Sequence, residues 1–255
     1  GDVVVEGRLT PERVGVCASI GALDVTVRRR PRVAVFATGT ELNQAPGRHE
    51  IRNSNGPMLC ALLAGAGYDV LDLDSVGDDR ALLDAAFERA LDAADVVVTT
   101  GGVSKGEHDL VRPALEAGGV EIAVHGVSLQ PGKPLLFGRR GDRACFGLPG
   151  NPASSLVCAD VFLLPYLAAL AGRDPNDALV ESRARVSAPV QASRKRRRVF
   201  PCRRSPDGVD PLPWRSSADL YMLTRGNGYV VIAAGADLAA GDEALVWIPE
   251  RFGAA

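Results

Sequence analysis

Aromatic residues make up only 5% of this sequence, so its cores are expected to be aliphatic. Cysteine is scarce and odd in number. Cys17, Cys60, Cys145, Cys158 and Cys202 lie far apart and form no C-x-x-C pair, which excludes a zinc site of the usual spacing and a disulfide framework. That usage points to a reducing, cytoplasmic setting. A formal net charge of -2 gives no global attraction to nucleic acid or to an anionic membrane. No uninterrupted apolar run reaches the roughly 18 residues that a membrane span needs, and no signal peptide is evident, so neither a membrane nor a nucleic acid is an expected partner. The chain opens at Gly1 without an initiator Met and runs straight into Val3-Val4-Val5, which reads as a piece of something longer. Also missing are a G-x-G-x-x-G after a strand, a G-x-x-x-x-G-K-[ST] loop and a nucleophile elbow near His49, His108 or His125. These gaps remove the Rossmann dinucleotide, P-loop and serine-hydrolase readings.

What is present is a regular alternation of short β-branched runs and amphipathic stretches. Residues 1–30 look like the tail of a preceding unit, with a Pro11-led helix start and a Val25-Thr26-Val27 strand. The charged run Arg28-Arg29-Arg30 before Pro31 marks a boundary. From residue 31 to 173, strands are expected at 32–37, 68–73, 96–100, 120–127, 135–137 and 144–146. Helices are expected at 57–66, 79–93, 109–117 and 151–171. Such alternation implies an α/β fold with a mostly parallel sheet sandwiched by helices. Gly172-Arg173-Asp174-Pro175-Asn176-Asp177 reads as a linker, and residues 177–255 show short strands and Pro/Gly turns that suggest a small all-β barrel.

In an open parallel sheet, ligands are received at the loops after the strands, and here those loops are polar and glycine-rich. The stretch Val96-Val97-Val98-Thr99-Thr100-Gly101-Gly102-Val103-Ser104 runs from a buried strand into such a loop and reaches a carboxylate at Asp109. After the first strand come Thr38-Gly39-Thr40-Glu41, with hydroxyls for a phosphate and a hard oxygen at Glu41. Ile51-Arg52-Asn53-Ser54-Asn55-Gly56-Pro57 leads into a helix, and capping by Ser54 or Asn55 accounts for much of it. Asp78 and Asp79 precede another helix, where an N-cap and a dipole partner account for both; the alternative is that one of them faces the crevice. Lys133 is held between Pro131-Gly132 and Pro134, which restricts its position. Gly147-Leu148-Pro149-Gly150-Asn151-Pro152-Ala153-Ser154-Ser155 places a close approach at Gly150, an N-cap and two hydroxyls at a helix start, the pattern of an anion site.

Thr38-Gly39-Thr40-Glu41-Leu42, Ile51 to Asn55, Gly77-Asp78-Asp79, Thr100 to Asp109, Pro131-Gly132-Lys133-Pro134 and Leu148 to Pro152 occur in the order seen in molybdopterin molybdenumtransferases. The chain resembles that molybdenum insertion family, which includes the E domain of gephyrin. The resemblance implies a MogA-like α/β domain followed by a β-barrel domain, and insertion of molybdate into adenylylated molybdopterin with release of AMP in the presence of Mg²⁺. It implies catalytic roles for Glu41, Asp109 and Asp79, and metal ligation by Glu41, Asp78 and Asp109. It implies ligand contacts by Thr38, Gly39, Thr100, Gly101, Gly102, Ser104, Lys133, Pro149, Gly150, Asn151, Ser154 and, from the barrel, Ser217. A homodimer is implied for the full-length protein. Gln130 departs from the lysine that often precedes Pro-Gly-Lys, and Lys105 replaces a usually apolar residue. The alternative is a binding or scaffold module of the gephyrin E type. The run Arg194-Lys195-Arg196-Arg197-Arg198 reads as a solvated strand entry or a local phosphate patch.

Overall fold

A computed structural model describes residues 7, 9–40, 42, 51–103 and 109–253. Glu41, Ser104, Lys105 and His108 therefore lie outside the described residues. The first unit opens with helix α1 (Pro11–Ser19), capped by the Thr10 hydroxyl and carrying no buried residue. The expected Val25-Thr26-Val27 strand is absent: these residues join no ladder, and Val25 and Val27 are exposed. β-branched residues favour a strand only where a neighbour supplies hydrogen bonds and packing.

The main unit follows the expected alternation: β1 (Arg32–Thr38), α2 (Asn55–Gly65), β2 (Asp69–Val76), α3 (Arg80–Ala93), β3 (Val96–Thr100), α4 (Val111–Ala117) and β4 (Glu121–His125). A two-residue strand β5 (Leu129–Gln130) precedes the hairpin of β6 (Leu136–Arg140) and β7 (Arg143–Leu148). The sheet order is β2-β1-β3-β7-β6-β4, parallel throughout except for β6, which runs against both neighbours. The chain moves from β1 to β2 on one side and then to β3 on the other. The crevice between β1 and β3 is therefore a topological switch point, where open α/β sheets bind ligands. One face buries Val33, Val35, Val96, Val98 and Phe146 under α2 and the last helix, and the other buries Ala34, Phe36 and Val97 under α3 and α4. The continuous valine runs of β1 and β3 are what a strand covered on both faces requires.

That last helix comprises α5 (Pro152–Cys158), a π turn (Ala159–Leu163) and α6 (Leu164–Leu170). Read as one element, Pro152–Leu170 is long and apolar enough to cross a membrane by length and composition, although Ser154, Ser155 and Asp160 interrupt its apolar run. Its apolarity serves the core instead, because most of it is buried between the two units of the chain. At the π turn, fully buried Asp160 accepts hydrogen bonds from Arg251 and from the Tyr229 hydroxyl.

After the short α7 (Pro175–Ala178), the second unit comprises β8 (Leu179–Arg185), β9 (Arg197–Ser205), β10 (Gly208–Pro211), α8 (Leu220–Leu223), β11 (Gly228–Ile232) and β12 (Glu243–Pro249). Its antiparallel order is β10-β9-β11-β12-β8. The two edges approach each other just past β8, where Val186 bridges Val209 and Ser187 N donates to Val209 O at 3.0 Å. β10 was not foreseen, since Gly208-Val209-Asp210-Pro211 is too short and polar to stand out. The two units are knitted together. β5 pairs with the start of β9, and Ala153, Leu156 and Val157 share a core with Val199, Tyr229 and Val230. The five cysteines are free thiols, and burial pushes Cys145, Cys158 and Cys202 up to about 12.

Candidate active site

The parallel strands end on one rim, so Thr38, Val76, Thr100, His125 and Leu148 lead into loops on the same side of the sheet. Its centre is a buried polar network on the α2 side. The Asn55 side-chain amide donates to Thr100 Oγ1 and to Gly150 O, both at 2.8 Å. Thr100 Oγ1 in turn donates to Pro149 O at 3.1 Å and lies 3.4 Å from Ser155 Oγ. Three loops, after β1, β3 and β7, are thereby fixed to one another. Asn55 does not cap its helix; Asn53 does, its Oδ1 accepting from Gly56 N at 2.9 Å. The sequence misled here because capping residues and site residues are the same types. Thr100→Val removes the hub of this network, and we expect it to lower stability by about 1–3 kcal/mol, the cost of orphaning buried polar partners. A lower urea midpoint at unchanged slope would register it.

Gly101 and Gly102 sit at φ +93° and +61°, and a Cβ on Gly101 would lie 2.4 Å from Thr38 O. These glycines let the β3 loop press against the β1 loop. Several backbone N–H groups that the sequence offered to an anion are spoken for within the protein. Gly39 N donates to Val76 O, Gly101 N to Leu148 O, and Ala153 N to Ser217 O. Thr40 N donates to Asp78 Oδ2. The expected anion site at the start of α5 is thus occupied in part by Ser217, whose hydroxyl also lies 3.0 Å from Asn151 Nδ2 as acceptor. Asn151 spends its side chain on Ser217 rather than on a cap, and Ser154 and Ser155 are buried rather than open to the crevice. Ser217 of the second unit is nonetheless brought to the rim by these two bonds.

The acids separate by role. Asp79 caps α3, its Oδ1 accepting from Leu82 N at 3.0 Å, while Asp78 ties the loop after β2 to Thr40. Both are exposed. Asp109 is half-buried; its Oδ1 accepts from Val111 N at 3.2 Å, and its Oδ2 is buried with no partner among the described residues. Burial raises the Asp109 carboxyl above the usual carboxylate range, opposed by backbone N–H groups of α4 and by His125 and Arg112. Lys133 is exposed on the loop between β5 and β6, a loop fastened to the core helix by Cys158 Sγ donating to Gly132 O at 3.7 Å.

Buried polar atoms are nearly always paired in native proteins, so exceptions point to a ligand or to water. Among the described residues five lack partners, and four of them belong to rim residues: Asn55 Oδ1, Thr99 Oγ1, Asp109 Oδ2 and His125 Nε2. The fifth, Arg198 Nε, belongs to the residue paired with Gln130 beside the Lys133 loop. Sequence reading passed over Asn55 and His125 as site residues; only their placement on one rim distinguishes them. No three carboxylate, histidine or cysteine side chains converge as a metal site among the described residues. Asp109 has an available oxygen, but its neighbours Arg112 and His125 present N–H donors, surroundings that suit a hydrogen-bonded ligand group better than a dication.

A family model described as "Probable molybdopterin binding domain" matches residues 34–169, and one described as "MoeA C-terminal region (domain IV)" matches residues 183–248. A molybdopterin molybdenumtransferase from Synechocystis is 30% identical over 237 residues, covering 90% of this chain and 59% of that protein. Molybdopterin molybdenumtransferase 2 from Mycobacterium tuberculosis is 37% identical over 168 residues, covering 62% of this chain and 41% of that protein. The crystal structure of the molybdopterin biosynthesis MoeA protein from Pyrococcus horikosii superimposes with a TM-score of 0.81 at 29% identity, covering 98% of this chain and 61% of that one. The chain thus spans less than two thirds of the length of these relatives.

Proposed function

Because the chain belongs to the family of probable molybdopterin binding domains and continues into a MoeA C-terminal region, we propose that it forms the substrate-binding part of a molybdopterin molybdenumtransferase. The substrate is adenylylated molybdopterin, molybdate is the second substrate, and AMP leaves when the metal enters the dithiolene. The observation that carries this reading is the row of unpartnered buried polar atoms along one rim, from Asn55 Oδ1 and Thr99 Oγ1 at the topological switch point to Asp109 Oδ2 and His125 Nε2 toward the β4 edge.

On this reading the chain's work is positioning and charge neutralisation rather than covalent catalysis. The Asn55–Thr100–Ser155 network holds the three central loops rigid, so little ordering is left for the moment of binding. Gly101 and Gly102 set the floor of the crevice. Lys133 supplies a positive charge to the phosphates, and Ser217 brings a hydroxyl from the second unit to the start of α5. Asp109 contacts the ligand through its unpartnered oxygen. Asp78 holds the Thr40 loop, and in sequence Glu41 follows β1 and Ser104 follows β3. Magnesium, implied by the resemblance, would come with the phosphates, whose oxygens supply much of its usual coordination. No step is assigned to it, because the described acids do not assemble a site for it. A cytoplasmic setting and a homodimer of the full-length protein complete the reading.

Calorimetric titration of the full chain with AMP tests it. We expect saturable binding that weakens on Lys133→Ala and falls with rising salt, since an ammonium–phosphate contact is screened. Absence of any nucleotide or pterin binding would sink the reading.

A further inference from the structure

We propose that His125 is a ligand-positioning residue which, with Asp109, receives a cyclic amide edge of the ligand's pterin ring; this deepens the molybdopterin reading above and rests on it. His125 is the last residue of β4, and its Nδ1 lies 3.1 Å from a guanidinium nitrogen of Arg112. A guanidinium has only donors to offer, so Nδ1 must accept, and in a neutral imidazole the proton then sits on Nε2. Arg112 is itself held in place by Glu116 at 2.8 Å. The result is an Nε2–H group that is buried and has no acceptor among the described residues.

Asp109 presents the complement, an acceptor oxygen that is buried and has no donor among the described residues. The start of α4 joins the two side chains, since Asp109 Oδ1 accepts from Val111 N at 3.2 Å and the next residue, Arg112, reaches His125 Nδ1. Three classes of ligand group can be weighed against this pair. A phosphate has only acceptors, so it would satisfy His125 and leave Asp109 both unpaired and repelled. A metal ion would satisfy Asp109 but cannot bind a nitrogen that already carries a proton. A ring edge with a carbonyl beside an N–H, as in a pyrimidinone, satisfies both at once, the carbonyl accepting from Nε2–H and the ring N–H donating to Asp109.

His125 is level with Leu136, Gly147, Thr99 and Phe36 in a row across the rim. At the spacing of neighbouring strands it lies about 14 Å from Thr99. A pterin at His125 therefore leaves the crevice between β1 and β3 for the nucleotide end of an extended ligand.

Calorimetry on the full chain with 6-hydroxymethylpterin and, separately, with AMP tests the assignment. His125→Ala should weaken the pterin roughly ten-fold, about one hydrogen bond to a buried partner, and leave AMP affinity unchanged. His125→Gln should keep most of the pterin affinity, because the amide nitrogen donates from near the Nε2 position. Nitrogen NMR of the imidazole should show the Nε2–H tautomer, and Arg112→Met should abolish that preference. Unaltered pterin affinity in His125→Ala, an equal loss for AMP, or an Nδ1–H tautomer would each overturn the inference. A wild-type chain that binds AMP but not the pterin would overturn it and leave the family-level reading standing. One that binds neither would remove both.

Discussion

Arg251→Ala should cost about 3–5 kcal/mol of stability, because it leaves a buried carboxylate without its counter-ion. Asp160 is fully buried at the π turn of the core helix, and Arg251 reaches it from beyond β12 with Nε at 3.0 Å from Oδ1 and a terminal nitrogen at 2.9 Å from Oδ2. The Tyr229 hydroxyl donates to the same Oδ2 at 2.7 Å. Burial, followed by the neighbouring Asp160 charge, raises the Tyr229 phenol well above its ordinary value, so it stays a neutral donor. A helix of the first unit is thus tied to β11 and to the chain beyond β12 in the second. The loss in Arg251→Ala comes from the orphaned charge rather than from a large intrinsic strength of the pair. The triple substitution Asp160→Leu, Tyr229→Phe, Arg251→Met should therefore recover most of the stability. Urea unfolding of the three proteins decides the point. A change below about 1 kcal/mol in the single variant would show that water reaches Asp160 and that the latch is not closed.

Gly101→Ala should be the most damaging single substitution on the rim. Its backbone at φ +93° costs an L-residue about 1–3 kcal/mol. The added Cβ would sit 2.4 Å from Thr38 O and 3.0 Å from Thr38 Oγ1, overpacking that costs about 1–3 kcal/mol more as the β1 and β3 loops are forced apart. Those loops flank the switch point, so ligand affinity should fall together with stability. Gly150→Ala is the matched comparison: its Cβ would meet Gly101 Cα at 3.5 Å, an ordinary contact, with no left-handed backbone to strain. We expect Gly150→Ala to stay within about 0.5 kcal/mol of the parent. Equal melting temperatures for the two variants would mean that the β3 loop has room the structure does not show.

Much of the fold was legible because the signals are local. The valine runs of β1 and β3, the Pro152 helix start and the amphipathic spacing of Leu83, Ala86, Phe87, Ala90 and Leu91 in α3 each follow from a backbone period or a terminus preference. Errors arose where a local signal lacked its tertiary partner. Val25-Thr26-Val27 has strand propensity but no strand to pair with, and Gly208 to Pro211 has little propensity yet is held as β10 by β9. The apolar length of Pro152–Leu170 could not say whether lipid or protein would cover it; two cores do.

The same division runs through the site. Residue types and their order along the chain determined by themselves that polar, glycine-rich loops follow the strands and that the family is the molybdopterin-binding one. Which atoms are used and which are left over was decided only by the tertiary structure. Hydrogen bonding is a matter of angstroms between residues far apart in sequence: Asn55 meets Thr100 and Gly150, Asn151 meets Ser217, and Arg112 meets His125. A sequence names donors and acceptors, but only the packed chain shows that Asp79 is spent on a helix cap while Asp109 Oδ2 and His125 Nε2 remain without protein partners among the described residues.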